Sequence, residues 1–146
     1  MRFSKEEQVK KKGINLFPKV KTRGKIMKEI DAIFSKMVKD RDDWTCQRCA
    51  TTYDRTEKSS NRSLQCSHFF PRQLMGTRFE LDNLDALCAG CHMRVESDKM
   101  GWYMDYMIEK LGPKKYEALK IKAYGECKMS KQDLELLLNI YKICYE

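Results

Sequence analysis

The chain has 146 residues, 34% of them charged, and its 29 Lys and Arg outnumber its 21 Asp and Glu to leave a net charge of +8. That length predicts one modest domain, and the surplus of positive charge favours a polyanionic partner over a merely soluble basic surface. Seven cysteines, an odd number, and the lack of a secretory leader argue against a disulfide framework. No apolar run reaches the roughly eighteen residues needed to cross a bilayer, so we expect a soluble protein of the reducing cytoplasm with no membrane partner.

The N-terminal segment, residues 1–21, is rich in lysine and is interrupted by Pro18. We expect a basic arm that either grips phosphates or stays a solvated tail, followed by one domain over residues 22–146. Over residues 25–39, apolar side chains recur every three or four positions. This period predicts a helix with one buried face that ends near Asp40.

Two Cys-x-x-Cys pairs follow, Cys46 with Cys49 and Cys88 with Cys91. A spacing of this kind lets both sulfurs of a pair face one ion, and four thiolates suit a single, closed, tetrahedral zinc site. The sequence therefore predicts a structural Zn²⁺. Cys66 is either an additional ligand or, as free cysteines more often are, a small buried apolar residue.

Between the pairs, residues 51–62 are polar and predict a loop. Short apolar runs at residues 64–70 and 84–87 predict two strands around the metal site, joined by a loop over residues 73–80 where Gly76 permits the bend. Arg72 precedes this loop and Arg78 lies in it. Their guanidinium groups are either DNA contacts that bind phosphate oxygens or ordinary surface arginines. Residues 88–99 are expected to turn into a helix that presents His92.

The remaining sequence predicts helices. Apolar residues over 102–111 lead to Gly112 as a C-cap, and Pro113 opens a helix over residues 114–124. Ser130 and Asp133 predict the capped start of a last helix. Its expected buried side consists of Leu134, Leu137, Leu138, Tyr141 and Ile143. Cys127 and Cys144 have no partner at metal-binding spacing and are interpreted as structural thiols. The predicted class is α+β.

His68, Asn83 and His92 stand in an order that resembles the HNH endonucleases of the ββα-metal type. That pattern has a histidine on a first strand, an asparagine in the returning loop and a histidine opening a helix. Within this type the chain resembles the phage NinG/Rap recombination proteins more closely, through Arg78-Phe79, Asp82-Asn83 and the aromatic-rich helix before Gly112. The resemblance covers residues 44–125. It implies a small zinc-stabilised ββα-metal core with surrounding helices.

The resemblance also implies roles for single residues in a metal-dependent DNA endonuclease. His68 would be the general base, Asn83 would tie the loop, and His92 would bind a catalytic Mg²⁺ or Mn²⁺. Glu96 lies one helical turn after His92 and is either a further ligand or a solvated carboxylate. Ser67 departs from the pattern, because many HNH enzymes have an acidic residue or a histidine at that position that binds the metal.

A recombination nuclease of this family would act on branched DNA such as Holliday junctions. The resemblance also allows a homodimer, and it places the protein in the host-cell cytoplasm if a phage encodes it. Two alternatives remain open. A non-catalytic zinc-ribbon DNA-binding protein would explain the cysteines and the charge, but it needs no histidines at the HNH positions. A structural or packaging-associated phage protein needs neither feature.

Overall fold

A computed structural model of the chain describes residues 20–97 and 101–145. Most of the basic arm predicted for residues 1–21 lies outside the described residues. In the described part the fold is α+β, as predicted, with helices around a small sheet of two strands. The elements in order are α1 (Arg23–Arg41), α2 (Ser60–Ser63), β1 (Leu64–His68), α3 (Met75–Arg78), a 3-10 turn (Leu81–Asn83), β2 (Leu84–Cys88), α4 (Ala89–Ser97), α5 (Trp102–Leu111), α6 (Pro113–Tyr124) and α7 (Lys131–Tyr145).

Helix α1 is the long element against which the sheet rests. Its first turn is capped by the Thr22 side chain, whose hydroxyl accepts a hydrogen bond from the Lys25 amide at 3.3 Å. The helix packs on β1, on β2 and on α7. Its apolar stripe is buried, as the periodicity predicts, and comprises Ile26, Ile30, Phe34 and Val38.

The two strands pair antiparallel, with Leu64 opposite Cys88 and His68 opposite Leu84. Helix α4 follows β2 without an intervening loop, so the chain contains a strand–strand–helix unit of β1, β2 and α4. The first strand is shorter than the predicted residues 64–70. It ends at His68 because the Phe70 backbone bonds to the Asn83 side chain rather than to a partner strand.

Two segments predicted as loops contain a short helix. Residues 51–62 run into α2, and residues 73–80 contain α3. Gly76 lies in α3 and is needed for close approach, because a Cβ there would clash with the Lys122 carbonyl oxygen of α6. Gly76 was predicted to permit a bend in a loop, but its missing side chain instead permits a close contact between α3 and α6.

The C-terminal helices have the predicted end signals. Gly112 ends α5 with a φ of 76°, a conformation that glycine adopts freely. Before α7, the Ser130 amide donates to Asp133 Oδ2 at 2.7 Å and the Asp133 amide donates to Ser130 Oγ at 3.1 Å. The described helices include none that is long and apolar enough to cross a membrane.

One C-terminal prediction about burial is wrong. Ile143 is 85% exposed, because it lies nine positions after the buried Leu134 and therefore about half a turn round the helix. Cys127 and Cys144, interpreted from the sequence as structural thiols, are both exposed.

Candidate functional site

The four cysteines of the Cys-x-x-Cys pairs lie together. Their Sγ atoms all fall within 4.8 Å of one another, and those of Cys49 and Cys88 are 3.8 Å apart. A tetrahedral site with Zn–S bonds of about 2.3 Å places its sulfurs about 3.8 Å apart. Among the described residues this is the one group of three or more side chains with such spacing. The cluster can therefore hold a metal ion such as zinc.

The local backbone conformation brings these sulfurs together. After α1, Asp43 and Trp44 take positive φ values of 48° and 52°, which turn the chain sharply into the first pair. The Gln47 amide then donates to the Ala86 carbonyl at 2.9 Å and attaches this turn to β2. The Cys88 amide points at Cys46 Sγ at 3.2 Å, an arrangement that favours a thiolate.

The thiols of the cluster differ in acidity. Hydrogen bonds from Thr51 lower the pKa of Cys49 to about 6. Burial and the bonds to neighbouring thiols raise the pKa of Cys91 to about 12. Four thiolates at this separation repel one another, and a bound cation would remove that cost and keep all four deprotonated.

A separate cleft brings together most of the other predicted site residues. It has a volume of about 400 Å³ and lies between the end of β1, the following loop and α4. Its lining contains Cys66, His68, Pro71, Arg72, Gln73, His92 and Glu96. Cys66 does not belong to the four-cysteine cluster. It is buried, and burial raises the pKa of its thiol to about 12, so the thiol is not reactive.

His68 lines this cleft, and one hydrogen bond fixes which nitrogen of its imidazole carries the proton. Its Nε2 lies 3.2 Å from the Arg78 carbonyl oxygen, which can only accept, so Nε2 carries the proton and Nδ1 keeps its lone pair. Burial, and then the charge of Arg72, lower the pKa of His68 to about 4. The ring is therefore neutral at neutral pH and able to accept a proton.

His92 and Glu96 form the other wall, on α4. His92 Nε2 lies 3.6 Å from Glu96 Oε1, one helical turn further on. The His92 ring is partly buried and the Glu96 carboxylate is exposed. An imidazole nitrogen and a carboxylate oxygen at this separation are suitable to share one divalent ion.

On its other ring nitrogen, His92 has a partner that the sequence analysis missed. Nδ1 lies 2.7 Å from the Oε1 atom of Gln65, a strand residue 27 positions earlier. Nothing in the local sequence pattern signals this contact.

Asn83 lies beside the cleft and is not part of its lining. Its side chain is fully buried and uses all of its polar atoms. Oδ1 accepts from the Phe70 amide at 2.7 Å, and Nδ2 donates to the carbonyls of Phe70 and Thr77 at 3.0 Å each. Asn83 therefore ties the chain that leaves His68 to the loop that returns to β2.

The two arginines proposed to contact DNA occupy different environments. Arg72 is exposed and lines the cleft. Arg78 instead bonds twice to the Asp31 carboxylate, and its side chain is only 15% exposed. The Arg78 fork is therefore engaged within the protein. Ser67 is buried and is not among the residues that line the cleft.

An adjoining cavity of about 230 Å³ shares His68, His92 and Arg72 with the cleft and also contains Lys39. Lys39 is buried, and its Nζ donates to the main-chain and side-chain oxygens of Asn61 at 3.2 Å each. Burial lowers the pKa of its ammonium group. No sequence pattern indicated a role for Lys39, because a lysine beside an apolar helical stripe is usually solvated.

Comparisons with protein-family models, with curated proteins and with solved structures found no match to this chain. Functional assignment therefore depends on the chemistry of the cysteine cluster and the cleft.

Proposed function

We propose that the chain is a metal-dependent DNA endonuclease with an HNH-type active site in the cleft lined by His68, Arg72, His92 and Glu96. One observation carries this proposal most strongly: a neutral imidazole whose lone pair lies on Nδ1 lines the same cavity as a histidine–carboxylate pair. The strand–strand–helix unit that supports these side chains has the order and pairing expected of a ββα-metal core.

Phosphodiester hydrolysis requires a base for the attacking water and positive charge where the phosphate accumulates negative charge. His68 meets the first requirement, because its fixed tautomer and neutral ring make Nδ1 a proton acceptor. Arg72 meets part of the second, because a guanidinium group at the cleft can bind phosphate oxygens.

His92 and Glu96 would hold the catalytic divalent ion, Mg²⁺ or Mn²⁺. Their donor atoms, one nitrogen and one oxygen, fit such an ion when water and a phosphate oxygen complete its coordination. When bound, the ion supplies positive charge to the phosphate and to the leaving oxygen. The buried Ser67 hydroxyl is not expected to be a ligand.

The four cysteines would hold a structural Zn²⁺ next to the start of α4, the helix that forms one wall of the cleft. The turn after α1, the end of β2 and the first turn of α4 each contribute to this cluster. Cys91 immediately precedes His92, so a closed zinc site would fix the start of the helix that carries His92 and Glu96. In this scheme zinc has no role in the reaction.

DNA is the proposed substrate because of the net charge of +8 and because Arg72 at the cleft can bind a phosphate oxygen. The resemblance to NinG/Rap proteins adds that branched recombination intermediates are preferred, and that the protein belongs to a phage recombination system. A non-catalytic zinc-ribbon protein would bind DNA with the same charge but without cleavage.

Nicking of supercoiled plasmid in the presence of Mg²⁺ or Mn²⁺ tests the proposal. The parent should convert the plasmid to open circles, and His68→Ala should lose on the order of a hundredfold or more in rate because the base is absent. Zinc content and DNA affinity should not change. Asn139→Ala, at an exposed position on α7, serves as the control. A parent that binds DNA but nicks none with either ion would favour the zinc-ribbon alternative.

A further inference from the structure

The contact between Gln65 and His92 defines the proton position on a second imidazole of the cleft. Gln65 Oε1 lies 2.7 Å from His92 Nδ1, within ordinary hydrogen-bond distance. Gln65 is the second residue of β1, and His92 lies in the first half of α4. The contact therefore crosses the strand–strand–helix unit between two of its elements.

The orientation of the Gln65 amide follows from its other hydrogen bond. Gln65 Nε2 lies 3.3 Å from the Arg62 carbonyl oxygen, which can only accept. Rotating the amide by half a turn would place two oxygen acceptors against each other at that position. The bond to Arg62 therefore keeps the NH₂ group there and directs the oxygen at His92.

An amide oxygen can only accept, so His92 Nδ1 must donate its proton to Gln65. In the neutral ring the lone pair then belongs to Nε2, the nitrogen on the Glu96 side. His68 has the opposite arrangement, because its Nε2 donates to the Arg78 carbonyl. The two histidines of the chain are therefore expected to adopt opposite tautomers.

We propose that Gln65 is a positioning residue that holds His92 in the tautomer with its Nε2 lone pair directed to a divalent ion shared with Glu96. This proposal rests on the proposed function, because it concerns the same ion. A hydrogen-bond acceptor on the second nitrogen of a metal-binding histidine fixes the ring and increases its basicity. Loss of such an acceptor typically lowers metal affinity by about 10- to 100-fold.

Two substitutions separate the hydrogen bond from the volume of the side chain. Gln65→Leu keeps a similar size but cannot accept a proton. Gln65→Glu loses the hydrogen bond to the Arg62 carbonyl but keeps an acceptor oxygen for Nδ1, so it should preserve the tautomer. Gln132→Ala, at an exposed position on α7, is the control for a glutamine lost elsewhere.

The first measurement uses zinc-loaded protein with ¹⁵N-labelled histidine and no other divalent ion. The chain has two histidines, so His68→Ala assigns both rings in long-range ¹H–¹⁵N spectra under mildly alkaline conditions. The parent should show one ring protonated on Nε2 and His92 protonated on Nδ1. In Gln65→Leu the His92 pattern should change to a mixture, whereas in Gln65→Glu it should not. A parent His92 protonated on Nε2 would overturn the proposal.

The second measurement is Mn²⁺ affinity by electron paramagnetic resonance, with His92→Ala to identify binding at the cleft. Gln65→Leu should bind about 10- to 100-fold more weakly than the parent, and Gln65→Glu should bind within a few-fold of it. Equal affinity of Gln65→Leu and the parent, or no Mn²⁺ bound through His92, would overturn the proposal. If the expected affinities appear but the parent nicks no plasmid, the positioning role stands and the proposed nuclease function fails.

Discussion

The Asp31 carboxylate accepts two hydrogen bonds from the Arg78 guanidinium, at 3.2 Å from Nε and 2.6 Å from Nη2. The main-chain carbonyl of the same arginine accepts from His68 Nε2 at 3.2 Å. Asp31 lies on α1 and Arg78 ends α3, so the long helix fixes the position of the carbonyl that orients the proposed base. The side chain of Arg78 is therefore assigned to positioning, and Arg72 remains the arginine available to DNA.

Replacing Arg78 with lysine should slow cleavage without weakening DNA binding. Lysine keeps the charge but cannot form two parallel bonds to one carboxylate, so the loop and the His68 ring lose their fixed position. We expect about a tenfold lower single-turnover nicking rate and about 1 to 3 kcal/mol less stability towards urea. The matched control is Arg55→Lys, since its pair with Asp43 is exposed and 3.8 Å long. A normal rate in Arg78→Lys would contradict the positioning role.

Much of the fold follows from local patterns. The apolar stripe of α1, the Ser130 and Asp133 cap and the Gly112 end signal each depend on residues a few positions apart, and each predicted element is present. The ends of the elements were less predictable. The first strand, for example, ends where the Phe70 amide donates to the side chain of Asn83, 13 positions later. Ile143 shows that an apolar residue in a helix need not face the core.

The candidate site likewise contains parts that the sequence predicts and parts that it does not. Residue types and spacing were sufficient to predict the four-cysteine cluster. The side chains that orient the two histidines were not predictable, because Asp31 precedes Arg78 by 47 positions and Gln65 precedes His92 by 27. Each of these pairs forms through tertiary packing and leaves no periodic signal in the sequence.

Removal of one cysteine from the cluster should release zinc and unfold much of the core. Cys46→Ser or Cys88→Ser leaves three thiolates, and the free energy of metal binding is then largely lost from the free energy of folding. The expected result is substoichiometric zinc by elemental analysis together with a strongly lowered unfolding midpoint. A chelator should produce the same change in the parent.

The control for the cysteine variants is Cys127→Ser, because Cys127 is exposed and outside the cluster. It should retain one zinc per chain and the unfolding midpoint of the parent. Soluble, folded parent protein without zinc would contradict the proposed structural role of the metal.

The lowered pKa of His68 predicts a contribution to stability that depends on pH. In the folded chain the pKa is about 4, whereas an exposed histidine has about 6.5. Between these values the unfolded state binds more protons, so stability rises with pH. The contribution is complete above about pH 6.5 and is lost as pH falls towards 4, with a size on the order of 2 kcal/mol.

This contribution can be isolated by comparing the parent with His68→Gln in urea unfolding across that pH range. The two proteins are compared only at pH values where elemental analysis shows that both keep their zinc, so the difference between their unfolding free energies reports the His68 side chain. Relative to the variant, the parent should lose on the order of 1 kcal/mol per pH unit as the pH falls below 6.5. A difference that does not change with pH would show that His68 titrates like an exposed histidine.

The preference for branched DNA is the remaining prediction, and its physical basis is charge. Arg72 of the cleft lining would contact the phosphate backbone, a kind of contact that positions DNA but does not read its sequence. A four-way junction brings several phosphate strands close to one protein molecule of net charge +8, so it should bind more tightly than linear duplex, and both should weaken as salt rises.

Competition between a four-way junction and a linear duplex of matched length and sequence, at fixed salt, tests this preference. Binding and cleavage should both favour the junction, because more phosphates then lie close to the positively charged protein. Repeating the competition with Arg72→Ala should reduce affinity for both substrates, since a phosphate contact carries no sequence or branch information. Equal binding and equal cutting of the two substrates would leave a general nicking nuclease. Cutting confined to one short sequence would instead indicate recognition of base edges, and would point to a restriction or homing role.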